Sequence, residues 1–262
     1  MRFRSSRRLL TVVLLACALV PAAASATQTA RISAQLNPEH LGSATTVSLA
    51  FDITGDGSAP SALLHIQLAF PGNLGFATSG LGLAACTPQT LELVGPEACP
   101  PDSVMGHGSA LVEIQIGPEL VREEVLLTLL AAPSTDGYLH LLIYAEGKVP
   151  VKGQVLLSGT LLPGRMEVTI PPIPSLPQSP YVAVVRIRIT LGGALTYYER
   201  RHGRVVAYRP PGVGLPSRCP RGGFPFGASF SFMDGTLSRA ATAVACPARH
   251  RKVRRRPPLA FT

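Results

Sequence analysis

The sequence predicts an all-β fold: an antiparallel β-sandwich, one large or two abutting, stapled by disulfides. Three observations carry that reading. Apolar residues alternate with polar or small ones along much of the chain, as in strands with one buried and one wet face. The 25 Gly and 25 Pro among 262 residues cut these runs short, which favours many turns over long helices. Beyond residue 26 the chain carries an even set of cysteines, Cys86, Cys99, Cys219 and Cys246, and an even set in an exported chain reads as disulfides.

The expectation of export comes from residues 1–26. Arg2, Arg4, Arg7 and Arg8 precede an apolar run from Leu9 to Val20, Pro21 breaks it, and Ala24-Ser25-Ala26 offers a small-x-small cleavage site. That is the layout of a secretory signal peptide. The run is shorter than the roughly 20 residues a membrane-spanning helix needs. Cleavage would start the mature chain at Thr27 and leave 236 residues. Leu14-Leu15-Ala16-Cys17 is a rival lipoprotein box, with Leu15 a poor fit two positions before the cysteine.

The first strand candidates are 29–36 and Thr46 to Ile53, followed by an Asp/Gly/Ser/Pro turn from Asp52 to Pro60 and a strand around His65 to Leu68. Ala110 to Ile116 alternates cleanly. Val125 to Leu130 and Leu139 to Tyr144 are more uniformly apolar, as in strands covered on both faces, with Asp136-Gly137 as the turn between them. Residues 119–130 also tolerate a helical reading. Their β neighbours and the prolines at 118 and 133 favour strand. Further candidates are 149–162, 165–170, Val184 to Ile189, 204–208, 228–233 and 240–245, about twelve strands in all.

Between them, residues 171–180 hold five prolines. Such a segment is neither helix nor central strand. It is an extended connection: either a linker dividing the domain at 27–248 or a strap packed by Ile173 and Leu176. Residues 249–262 form a separate basic tail, expected to be disordered. Pro71 to Gly75 and Pro211 to Pro216 each precede a cysteine, a faint internal echo that Pro and Gly enrichment alone can produce.

Each cysteine pairs most simply within its own half, Cys86 with Cys99 and Cys219 with Cys246, although four cysteines allow three connectivities. A zinc site needs closer spacing, such as Cys-x-x-Cys, and none occurs.

The net charge of +9 is unevenly placed. Residues 27–147 hold 2 basic and 12 acidic groups, and residues 148–248 hold 12 basic and 3 acidic. The halves are expected to pack together and partly neutralise one another. Two basic clusters are candidates for an anionic cell-wall polymer or a membrane surface. One is Arg200, Arg201 and Arg204, beside Tyr197 and Tyr198. The other is the tail's Arg249, Arg251, Lys252, Arg254, Arg255 and Arg256. Export argues against a nucleic-acid partner.

The loops also carry a resemblance. Gly80-Leu81-Gly82-Leu83-Ala84-Ala85-Cys86, then Gly95-Pro96-Glu97-Ala98-Cys99-Pro100-Pro101-Asp102-Ser103-Val104-Met105-Gly106, then Cys219-Pro220-Arg221-Gly222-Gly223-Phe224-Pro225-Phe226 and Ala245-Cys246-Pro247 resemble secreted β-rich proteins of high-GC Gram-positive bacteria. The resemblance implies export and β architecture, and no catalytic residue.

Catalytic motifs are weak. Six histidines form no His-x-His or His-Glu-x-x-His pattern. Gly106-His107-Gly108-Ser109 is only loosely like a nucleophile elbow, because the order is wrong and no helix follows. Asp52 to Gly57 starts like a calcium loop but has Leu63 where the bidentate Glu belongs. Glu123 and Glu124 are adjacent, so on a strand they face opposite sides, a poor arrangement for a glycosidase. Trp is absent, which disfavours sugar-stacking platforms. No motif calls for a cofactor or a metal. The expectation is a non-catalytic envelope or extracellular binding or structural module, against a secreted hydrolase whose site is assembled from distant residues.

Overall fold

The structure is a computed structural model that describes residues 28–56, 59–76, 84–174, 180–192, 197–208 and 212–247. It is almost entirely β, with fifteen strands. They are β1 (Thr29–Asn37), β2 (Ala44–Thr54), β3 (Leu63–Ala69), β4 (Gly75–Phe76), β5 (Val104–Ile116), β6 (Glu119–Ala131), β7 (Leu139–Gly147) and β8 (Gly153–Leu162). After these come β9 (Arg165–Thr169), β10 (Ala183–Leu191), β11 (Tyr197–Arg201), β12 (Arg204–Tyr208), β13 (Val213–Gly214), β14 (Phe224–Phe232) and β15 (Leu237–Val244). One six-residue helix, α1 (Pro88–Leu93), lies between β4 and β5.

Thirteen strands form one sheet in the order β15-β14-β3-β9-β8-β7-β6-β5-β10-β2-β13-β4, with β1 also paired to β2. The named strand ladders are all antiparallel, and β11 and β12 form a separate hairpin. The sheet curls until β1 lies alongside β15. Its inner faces then pack on each other as in a sandwich. Phe51 of β2, for example, meets Phe230 of β14 edge to face, with ring centroids 5.6 Å apart.

Alternation produces this wrapping. Val47, Leu49, Phe51 and Ile53 of β2 point inward and are buried, as are Phe224, Phe226, Ala228, Phe230 and Phe232 of β14. Outward positions are polar or charged, including Ser33, Gln35, Ser48, Asp52, Arg186 and Arg188. The apolar face is therefore inside, the reverse of a membrane barrel, whose lipid-facing band is apolar.

Two local devices keep the wrapping tight. Gly106 and Gly108 let β5 approach β10 closely: a Cβ on Gly108 would stand 2.2 Å from the Arg188 carbonyl oxygen. A bulge at Val184 to Arg186 resets the alternation of β10, so Val184 and Ile187 both face the interior.

Strands from both sides of residues 171–180 share the sheet: β10 pairs with β2 and β5, and β14 pairs with β3. The Arg186 to Asp52 ion pair, 2.9 Å, joins the basic half to the acidic half. Cys86 pairs with Cys99 and Cys219 with Cys246, with Cα separations of 5.3 and 5.9 Å, inside the usual disulfide range. Paired cysteines fit an oxidising environment. No helix among the described residues is long and apolar enough to cross a membrane.

The first bridge holds a small second core. Cys86, Cys99 and Leu91 of α1 cover Leu130, Leu142 and Tyr144 on the outer face of β6 and β7. Thr87 caps α1 by accepting from the Thr90 amide, and Pro88 opens its first turn. This cover accounts for the uniformly apolar run Leu139 to Tyr144. It reaches only part of Val125 to Leu130, because Leu126 on the outer face is half exposed.

Candidate functional site

Sequence alternation along β6 places Val121, Glu123, Val125, Leu127 and Leu129 on one face, and that face points into the wrapped sheet. Towards one end of the core the side chains do not meet. They leave a cavity of about 340 Å³, within the ~300–1,000 Å³ span of small-molecule sites. Val112 of β5, Leu127 of β6, Ile143 of β7, Leu157 of β8, Met166 of β9 and Ile187 of β10 line it. Its lining is overwhelmingly apolar.

The proline-rich segment lies against the same space. Ile173, Pro174 and Val182 reach the cavity, beside Val151 from the β7–β8 turn. Its described ends are tied to each other: the Val182 amide donates to the Ile173 carbonyl at 2.9 Å, and Pro174 bridges to Tyr181. Leu176 lies outside the described residues. Near this end Val149 and Tyr181 are exposed.

One charged side chain enters the cavity. Glu123 is 2 % exposed, and its Oε1 has no hydrogen-bond partner. Gly147 on β7 makes room for it. A Cβ there would stand 2.6 Å from that oxygen. The adjacent Glu124 faces an outer polar groove with His107, Ser109 and Arg188. The two glutamates thus face opposite sides, as alternation requires. The sequence pattern Val121-x-Glu123-x-Val125-x-Leu127-x-Leu129 was the available signal for Glu123: a carboxylate on the apolar face of a strand.

The basic candidates separate in space. Arg200, Arg201 and Arg204 lie on the β11–β12 hairpin, whose two-residue turn is His202 (φ 49°) and Gly203 (φ 78°), the primed geometry preferred in hairpins. Arg201 is opposite Arg204, and Arg200 is opposite Val205. The register therefore puts Arg200 on the other hairpin face from Arg201 and Arg204. Residues 1–26 and Arg249 to Arg256 lie outside the described residues.

Asp52 of the calcium-like loop is engaged by Arg186. Among the described residues no three His, Cys, Asp or Glu side chains come together as a metal site.

One histidine does meet a carboxylate. His140 Nε2 lies 2.8 Å from Asp136 Oδ1, and His140 Nδ1 lies 3.2 Å from Thr160 Oγ1. Hydrogen bonding to His140, then to the Tyr138 amide, holds the Asp136 carboxyl below the usual carboxylate range. The same Asp136 accepts from Ser134, so it organises the β6–β7 turn. The chain of groups sits on the outer surface, away from the cavity.

No protein-family model, no curated protein and no solved structure matches the chain.

Proposed function

We propose that the protein is an exported, non-catalytic module that binds an apolar small molecule inside its wrapped sheet. The single observation that supports this is the apolar cavity inside the sheet, with Ile173, Pro174 and Val182 in its lining. A well-packed core leaves few voids larger than a water molecule. A space of about 340 Å³ is more than twice the ~150 Å³ apolar void known to stay dry and take up benzene. The signal-like N-terminus and the two disulfides fit work outside the cytoplasm, at the cell envelope or in the medium. The β7–β8 turn and the described ends of the proline-rich segment form the entry side, where Val149 and Tyr181 offer apolar contact.

Nile red, whose emission rises in apolar surroundings, tests the reading. The purified protein should bind it with saturable, one-site behaviour. Val125→Trp fills the cavity from β6 and should abolish the signal while the far-ultraviolet spectrum stays β. Unchanged binding by Val125→Trp moves the ligand elsewhere.

The hydrolase reading rests on the Asp136, His140 and Thr160 chain. The groups lie on an open surface, whereas a nucleophile works best in a site that excludes water and holds oxyanion donors. Ester hydrolysis by the wild type that His140→Ala removes would restore that reading.

A further inference from the structure

We infer that the cavity selects an amphiphile whose head is a protonated amine, with Glu123 as its counter-ion. This rests on the cavity reading and deepens it. The inference starts from an imbalance. A buried carboxylate without a partner is costly, and native structures seldom leave one orphaned. Yet Glu123 Oε1 has no partner, and the cavity wall around it is Val125 and the apolar lining of β5 and β7.

The nearest cations in sequence are used elsewhere. Arg122 is on the outer face and holds Glu113 at 2.9 Å, and Lys148 pairs with Glu146 at 3.4 Å. The space around the carboxylate is built in, because only a glycine at 147 leaves it clear. A carboxylate accepts and does not donate. The group that completes it is therefore a donor, and a positive one gains most inside an apolar wall. An alkylammonium supplies both, with its tail lying along Leu127, Leu129 and Ile143. An ionised fatty carboxylate is disfavoured twice, by like charge and by the lack of a donor. Glu123 and Val151 of the β7–β8 turn both flank Gly147, so the head stays by that turn and the tail runs inward.

Displacement of Nile red by decylamine, decanol and decanoate, all below their micelle concentrations, separates the possibilities. Decylamine should displace the dye at a concentration at least ~10-fold lower than decanoate, the scale of a buried charge-assisted hydrogen bond. Decanol should fall between. Glu123→Gln should erase the amine preference and leave decanol unchanged, and Gly147→Ala should weaken decylamine by crowding the head. Glu124→Gln, on the outer face, should change nothing. Equal displacement by amine and carboxylate overturns the inference while leaving the cavity reading intact, as does an amine preference that survives Glu123→Gln. A protein that binds neither Nile red nor any of the three overturns the cavity reading itself. Should Glu123→Gln fail to fold, the three-ligand comparison on the wild type still decides.

Discussion

Phe230 shows what a single side chain contributes to the wrapped sheet. It is fully buried and meets Phe51 across the core, so it joins β14 to β2 where no backbone ladder does. Phe230→Ala should cost about 3–5 kcal/mol, the range for emptying an aromatic site in a core that relaxes only partly. Urea unfolding followed by circular dichroism measures it. A loss under ~1 kcal/mol would mean that the two layers do not depend on this contact. Glu123 is the opposite case, a residue whose placement works against stability. Its inward direction was legible from alternation alone. The space around it was not, because Gly147 comes opposite only through the β6–β7 register, in which Val125 pairs with Gly147.

At the scale of elements, most of the strands were legible, and each discrepancy has a local cause. The run expected at 149–162 begins only at Gly153, because Pro150 and the turn residues around it cannot join a ladder. Three strands carried no recognisable pattern. β4 and β13 are two residues each, and β11 is five residues of Tyr, Glu and Arg without alternation. Helix α1 was missed for the same reason: six residues are too few for a helical period to show. The cysteine pairing was legible because each bridge spans a short loop. What the Cys86–Cys99 bridge covers was not, since Leu142 and Tyr144 reach that face from a distant strand. Replacing Cys86 and Cys99 by Ala should cost about 3 kcal/mol on the loop-entropy model. It should also loosen the cover over Tyr144, whose pKa burial pushes up. Tyrosine titration should then move towards the ordinary value of 10.0, and an unmoved titration would detach the bridge from that cover.

The edge between β1 and β15 makes a second prediction at this scale. Gln28, just before β1, donates to Asp234 in the β14–β15 turn at 3.0 Å and accepts from the Ser61 amide at 3.4 Å. Burial pushes the Asp234 pKa up, but hydrogen bonds from the Thr236 side chain and amide, then from Gln28, outweigh it and hold the value below 3.8. A depressed folded-state pKa means that folding favours the charged form. Its stabilisation is therefore present above the unfolded-state value and lost as pH falls through the folded one. Asp234→Asn should lower the melting temperature near neutral pH, and the gap to the wild type should close as pH drops below 3.8. A gap that stays constant with pH would show that the charge of Asp234 contributes nothing to holding this edge.

For the whole molecule, charge and fold divide the work. Residues 27–248 hold 14 basic and 15 acidic groups, and the two oppositely charged halves share one sheet. That body has little net field with which to hold an anionic surface. We propose that any adhesion to a wall polymer or an anionic membrane uses local basic segments: the β11–β12 hairpin, which follows β10 in the chain, and the run from Arg249 to Arg256. In the chain the proline-rich segment precedes β10 and the hairpin follows it. Such an attraction would be Coulombic, so it should be strong at low salt and screened near 1 M, where the Debye length is about 3 Å. Sedimentation with teichoic-acid-bearing wall fragments measures it. Removing residues 249–262 should weaken sedimentation at low salt and make no difference at 1 M. Arg201→Gln with Arg204→Gln should reduce it more than Arg200→Gln with Arg201→Gln, because only the first pair shares a hairpin face. Equal sedimentation by every variant at low salt would remove these basic segments from the account of adhesion.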